Sequence, residues 1–335
     1  LADRFGRRNP LMLGTAIYTA ASVGCAVAPD LLTLSICRCL SAFGGSASAV
    51  IPRAIVRDIS EGLASARLMS RLILVMGAAP ILAPTLGGAL LGIGEWRLIF
   101  WATAAYGVAS TVLVWRWLPE TLPPRNRISL RLGELAGRYT AILRERSFLS
   151  HALIGGGAMF AMFAFIGGAP PVFIETYGLS PQAFALVFAL GAAGFIAGSQ
   201  LNPRLVARFG AARVLRWAVR ACGAAALALA LLAFLGAGGG VWAIFPPIVA
   251  AMLCCGMVMP NAAVGALARH ASRAGSASAL MGTLQFSLAA LSGTLTGLFG
   301  DGTARPMALL MLLGIAEAMA AELWRPRRPP ARDHA

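Results

Sequence analysis

The chain has 335 residues, 58% of them hydrophobic and only 12% charged, with a mean hydropathy of +0.76. Soluble domains carry about 25% charged and about 45–50% apolar residues, glycine included, so a soluble globular protein is excluded and the excess apolar surface must face lipid. The formal charge is +15 and all 28 basic residues are arginine. These arginines stand at the ends of apolar stretches rather than on one basic face, which points away from nucleic acid and toward a membrane sidedness signal.

Runs of about 20 mostly apolar residues, the length needed to cross a bilayer, predict ten transmembrane helices. In chain order they are 10–28, 31–56, 72–93, 98–115, 148–174, 182–203, 214–235, 241–267, 276–299 and 307–324. None shows the alternation of a barrel strand, so the expected fold class is all-α and polytopic. The expected domains are a bundle of four helices over 1–118, a connecting loop over 119–147, a six-helix bundle over 148–324 and a tail over 325–335.

Arginine placement sets the expected orientation. One alternate set of loops and ends holds 24 of the 28, the opposite set only Arg97 and Arg305, while Arg38 and Arg53 lie inside a span. Basic loops stay on the cytoplasmic side, so both ends of this chain are expected on the cytoplasmic side of the membrane. Within the long loop, Leu132, Leu135, Tyr139 and Ile142 recur every three or four residues against Arg131, Glu134, Arg138 and Glu145. That pattern predicts an amphipathic helix on the inner membrane surface, serving as a connector or as a partner-binding element.

The halves share a short repeat: DRFGRRNPL at 3–11 and ARFGAARVL at 207–215. In the second half two spans precede it. Equivalent halves would therefore place two further helices, about 60 residues, before Leu1.

No cofactor, metal or catalytic constellation is recognised. Cys25, Cys37, Cys39, Cys222, Cys254 and Cys255 lie in apolar runs without metal-ligand spacing and are read as small packing residues. His151, His270 and His334 stand near segment ends or in the tail. An enzyme is not expected.

Several motifs occur in order. Leu1-Ala2-Asp3-Arg4-Phe5-Gly6-Arg7-Arg8 opens the chain. Arg38, Gly44-Gly45 and Arg53-Ala54-Ile55-Val56-Arg57-Asp58 follow, then Ala79-Pro80-Ile81-Leu82-Ala83-Pro84 with Gly87-Gly88, Trp96-Arg97-Leu98-Ile99-Phe100, and Leu118-Pro119-Glu120-Thr121-Leu122. Pro260-Asn261 and Gly275-Ser276-Ala277-Ser278-Ala279 complete the set. Together they resemble the major facilitator superfamily, and within it the Bcr/CflA group of drug:proton antiporters. The resemblance implies twelve helices, two of them missing here, and export of small lipophilic drugs against protons by alternating access. The implied partners are drug, protons and the bilayer, for a protein that works as a monomer.

The resemblance also distributes roles. Asp3, Arg4, Gly6, Arg7 and Arg57 would form a conformational latch, with Ser276 at the helix start that receives the anion; the residues themselves equally suit a topology signal. Pro80, Pro84, Gly87 and Gly88 resemble the antiporter motif, where small residues let helices approach and prolines bend the span. Arg38 lies about two turns into its span, where a guanidinium is costly, and is read as a proton-coupling or substrate-orienting group, or else as an arginine snorkelling to the outer surface. The family usually has Gln-Gly where this chain has Ser41-Ala42, and Ala where it has Pro52. Ser41, Phe163, Asn261 and Gln285 are candidates for a largely apolar substrate pocket, with Phe160 and Phe165 beside Phe163 and Asn261 in a helix expected to break at Pro260. Glu317 is the acid placed deepest in a span. Two other readings stay open: a metabolite transporter for sugars or amino acids, and a truncated membrane protein that does not transport.

Overall fold

The computed structural model describes residues 2–60, 86–123, 132–236, 240–270 and 274–326, with single positions at 64, 68, 72, 75, 82 and 83. Its described residues are helical, with no strand. After a short turn at Ala2–Phe5, the helices are α1 (Arg8–Ala26), α2 (Leu31–Ile59), α3 (Arg97–Trp117), α4 (Leu132–Leu143), α5 (Arg146–Pro170), α6 (Pro181–Phe209), α7 (Ala211–Leu235), α8 (Val241–Leu267), α9 (Ala274–Phe299) and α10 (Arg305–Trp324).

Nine of the ten predicted spans thus coincide with helices. Seven helices have both the length and the apolar content to cross a membrane, with mean hydropathies from 1.4 to 2.1. The 19-residue α1 and 26-residue α9 are not among them, because Arg8, Asn9 and Pro10 in α1, and Gln285 with many serines, threonines and glycines in α9, lower their mean hydropathy. The predicted span at 72–93 falls largely outside the described residues; only its end, 86–93, is seen as helix.

The chain divides into two compact units, Leu1–Arg131 and Leu132–Ala335. Inside the first, α1 packs on α2 and on α3. Gly14 and Gly44 make the first crossing so close that a Cβ on either would press on the other's carbonyl oxygen. Gly107 of α3 in turn leaves room for Thr19 and Tyr18. The second unit repeats the device: Gly157 of α5 against Gly314 of α10, and Gly198 of α6 and Gly256 of α8 against the backbone of the opposing helix. With lipid as apolar as leucine, such backbone approach, rather than hydrophobic exclusion, is what gives one helix a preference for another. The centre of the second unit is filled by side chains such as Phe148, Ile154, Leu229, Ile248 and Met311, all fully buried. Leu31, Leu235, Trp242 and Leu298 stand outward, as lipid-facing residues do.

Proline acts in three ways. In α2 the helix runs on through Pro52. After α5, Pro170 and Pro171 remove two successive N–H donors, and the chain continues as one wide π-helical segment, Pro171–Thr176. In α8, contrary to expectation, the helix does not break at Pro260. The Asn261 amide turns back to the Met257 carbonyl at 2.8 Å, adding a bond in the turn that proline weakens. The amphipathic segment is α4, packed on α5 and α9. Its Ile142 is buried in the core of the second unit, while the side chains of Leu132 and Leu135 lie outside the described residues.

Candidate functional site

At the arginine-rich end of the first unit two carboxylates hold the Arg-Phe-Gly turn. Gly6 has φ +90°, a left-handed backbone that glycine adopts freely. That bend aims two successive amides at Glu120: Arg7 N–H donates to Oε1 at 2.8 Å and Arg8 N–H to Oε2 at 3.3 Å. Leu122 N–H also donates to Oε1, at 3.0 Å. A side chain at Gly6 would occupy the space of that carboxylate.

The Arg7 guanidinium then grips Asp58 with two nitrogens, Nε to Oδ2 at 2.7 Å and Nη2 to Oδ1 at 3.4 Å. Thr121 Oγ1 donates to the same Oδ2 at 3.2 Å, and Arg8 Nη2 donates to the Trp115 carbonyl. The Arg7 and Asp58 side chains are only 9% and 17% exposed, so this pair is shielded from water and geometrically demanding. One knot therefore fastens the ends of α1, α2 and α3.

Of the predicted latch residues, Gly6 and Arg7 belong to this knot. Arg4 is exposed, its guanidinium 5.2 Å from the Phe5 ring centroid. The side chains of Asp3 and Arg57 lie outside the described residues. Ser276 is half-buried in the first turn of α9, in the second unit. Asp58 and Glu120 stand within the motifs without an assigned role; the available signal is that each carboxylate lies near several arginines.

Arg38 lies two turns into α2 and is exposed, its guanidinium 5.8 Å from the Phe100 ring centroid, with no ion pair among the described residues. Ser41, one turn on, is buried on the packed side of the helix. Pro80 and Pro84 lie outside the described residues. Gly87 and Gly88 open the helical stretch at 86–93, and a Cβ at either would meet no atom of the described residues within 4 Å.

In the second unit the two predicted amides are buried. Asn261 Nδ2 donates to Asn202 Oδ1 at 2.5 Å, joining α8 to α6. Asn202 was missed, although an amide in an apolar run must find a partner once buried. Gln285 of α9 lies against Gly155 of α5, where Ala262, the neighbour of Asn261, also packs. Phe163 is half-buried two turns further along α5. Phe165 stacks on Phe188 at 5.6 Å, and Phe160 is buried beside Gly314. Ser292 Oγ donates to the Phe160 carbonyl at 2.8 Å, tying α9 to α5. In α10, Glu317 is half-buried, but the acid with partners is Glu322: its Oε1 accepts from Arg216 Nε at 3.2 Å and Arg325 Nη2 at 3.1 Å.

Comparison with known proteins places this architecture. The sequence profile described as Major Facilitator Superfamily matches residues 1–294. The chain is similar to an uncharacterized MFS-type transporter, YdgK, of Bacillus subtilis, 33% identical over 93% of this chain and 78% of that one. It is also similar to a bicyclomycin resistance protein homolog of Haemophilus influenzae, 28% identical over 92% and 77%, and to multidrug resistance protein D of Escherichia coli, 26% identical over 93% and 78%. Among solved structures, a D-xylose–proton symporter superposes with a TM-score of 0.69 over 95% of this chain and 81% of that one, at 16% identity. These apolar helices, small-residue crossings and charged turn are those of a multi-pass membrane protein, and the chain belongs to the Major Facilitator Superfamily.

Proposed function

We propose that the protein exports small lipophilic compounds, antibiotics among them, in exchange for protons, its two units alternating access to a site between the membrane faces. The observation that carries this reading is similarity over more than nine-tenths of the chain to relatives named for bicyclomycin and multidrug resistance. Arg38 supports the coupling: a cation inside a span without an ion pair among the described residues is suited to tuning a carboxylate that carries the proton. The knot of Arg7, Asp58 and Glu120 supports the latch, because it stiffens the turn that carries Asp3 and Arg4 at the face we assign to the cytoplasm. Gly87 and Gly88, with Pro80 and Pro84, would keep the empty carrier from leaking protons. Ser41, Phe163, Asn261 and Gln285 remain the proposed pocket candidates, Asn261 as a residue whose amide is engaged with Asn202.

The test is a resistance profile of the protein in an efflux-deficient host, followed by proton flux in energised vesicles. Drug addition should release protons from the gradient in the wild type. Arg38→Ala should abolish that flux, Gly88→Val should uncouple it from drug, and Asp3→Asn should slow transport without reducing insertion. No gain in drug tolerance and no flux would refute export; flux driven by a sugar or amino acid instead would make the protein a metabolite carrier.

A further inference from the structure

The helices α5, α7, α8 and α10 border an open cavity of about 450 Å³ at their arginine-rich ends. Its wall is unevenly charged. Arg216, Arg220, Arg269 and Arg325 line it against a single carboxylate, Glu322. That carboxylate is already divided between Arg216 and Arg325, while Arg269 Nη1 lies 3.5 Å from Glu145, an acid that also stands 2.8 Å from His270 Nε2.

Arg220 is left over. It lies nine residues into α7, about 13 Å along the axis at the α-helical rise, and no carboxylate is within ion-pair distance of it among the described residues. Arg220 is exposed on its helix, and a guanidinium at that position reaches the aqueous end of the span or takes a counter-charge. The start of α7 adds to the imbalance. Ala211 and Ala212 line the same cavity, and this first turn has no side-chain cap, so its free N–H groups add partial positive charge.

We propose that this cavity binds a phosphate-bearing anion, either the headgroup phosphodiester of an anionic lipid or free phosphate. Guanidinium groups match phosphate oxygens two at a time, and the volume lies in the range of sites that enclose a small ligand. Bound there, the anion would neutralise Arg220 and Arg216 together and fasten α7 to the ends of α8 and α10. The cavity borders the proposed export pathway at Asn261, which also lines it, but anion binding by its arginines does not depend on which compound is exported.

The test uses the purified full chain in neutral detergent, with retained lipid counted by native mass spectrometry after exposure to phosphatidylglycerol or phosphatidylcholine. In a parallel arm, inorganic phosphate is titrated against the apparent melting temperature in lipid-free micelles. The wild type should prefer phosphatidylglycerol, or be stabilised by phosphate. Arg220→Gln should weaken whichever interaction is seen about tenfold, the equivalent of one charge-assisted hydrogen bond. Arg220→Lys should restore most of it, and Glu322→Gln, which frees two arginines, should strengthen it. Selective lipid retention identifies a headgroup; phosphate stabilisation without it identifies the free ion. Should Arg220→Gln not fold, Arg216→Gln carries the comparison, its side chain being 41% exposed. Equal lipid retention and equal phosphate response in wild type and folded Arg→Gln variant would overturn the proposal.

Discussion

The Arg-Phe-Gly turn occurs once in each unit, and both times its glycine takes a positive φ, +90° at Gly6 and +80° at Gly210. The surroundings differ. Gly6 is plugged by the Glu120 carboxylate, brought from the far end of α3, whereas the space beside Gly210 holds no atom within 4 Å among the described residues. In the second unit the acid arrives elsewhere: Glu322 of α10 meets Arg216, in the second turn of α7, through a side chain 41% exposed, against 9% for Arg7. A shared local sequence reproduces the backbone bend, but a carboxylate from a distant segment decides whether the bend becomes a closed knot or the rim of an open basic cavity.

The largest effect should separate the two glycines. Gly6→Ala combines left-handed strain of about 1–3 kcal/mol with displacement of a carboxylate that accepts three backbone bonds, for a total of about 3 kcal/mol or more. Gly210→Ala keeps only the strain, about 1–3 kcal/mol, without the displaced carboxylate. Unfolding of the two variants in mixed detergent micelles measures this, and equal losses would remove the distinction between plugged and open turns.

The ion pairs should divide in the same way. Asp58→Ala leaves a shielded Arg7 without its two-pronged partner and should cost about 3 kcal/mol. Arg216→Ala takes from the buried Glu322 only one of its two arginines, Arg325 remaining, and should cost about 1 kcal/mol. A double-mutant cycle on each pair reads the coupling directly, and a stronger coupling for Arg216–Glu322 would reverse the comparison.

The amide bridge in the second unit has no charge to lose. Asn202→Leu strands the Asn261 amide from one partner and should cost about 1–3 kcal/mol, part of it recovered when Asn261 is also changed to leucine. Failure of the second change to recover any stability would mean that Asn261 packs rather than pairs.

The smallest effects belong to two loop acids outside the spans. Asp30 accepts from Thr33 N–H at 2.7 Å at the start of α2, and Asp301 accepts from Thr303 N–H at 2.8 Å ahead of α10. Hydrogen bonds from those threonines hold both carboxyls below the ordinary carboxylate range. A depressed folded pKa means that the stabilisation is present above the unfolded value, about 4 for aspartate, and is lost as pH falls through the lower folded value. Asp30→Ala should therefore melt lower than wild type at neutral pH, with the difference shrinking once the pH drops below about 4. A pH-independent difference would show that the side chain acts by shape alone.

Much of the helical framework was legible because a bilayer imposes one length and one composition on every span. The predicted 241–267 coincides with α8, and the other predicted spans that coincide with helices begin and end within a few residues of them, apart from 182–203, which α6 extends to Phe209. Proline was read less well. The residue alone cannot say whether a helix will run on, as at Pro260, where neighbouring groups sustain it, or widen, as after Pro170 and Pro171. The site was legible only where a residue type was costly in its setting. Arg38, Asn261 and Gln285 declared themselves by polarity inside apolar runs, whereas Asn202, Asp58, Glu120 and Glu322 became informative only once their partners were seen.

By itself the sequence determined the solvent of this protein, its all-helical class, the uneven arginine distribution and the backbone bend at both Arg-Phe-Gly turns, since these depend on composition and on local φ and ψ preferences. The tertiary structure decided which acids meet which arginines. That outcome depends on contacts between segments more than a hundred residues apart, as with Arg7 and Glu120 or Arg216 and Glu322, and on glycine-lined crossings that set how closely the helices carrying them approach.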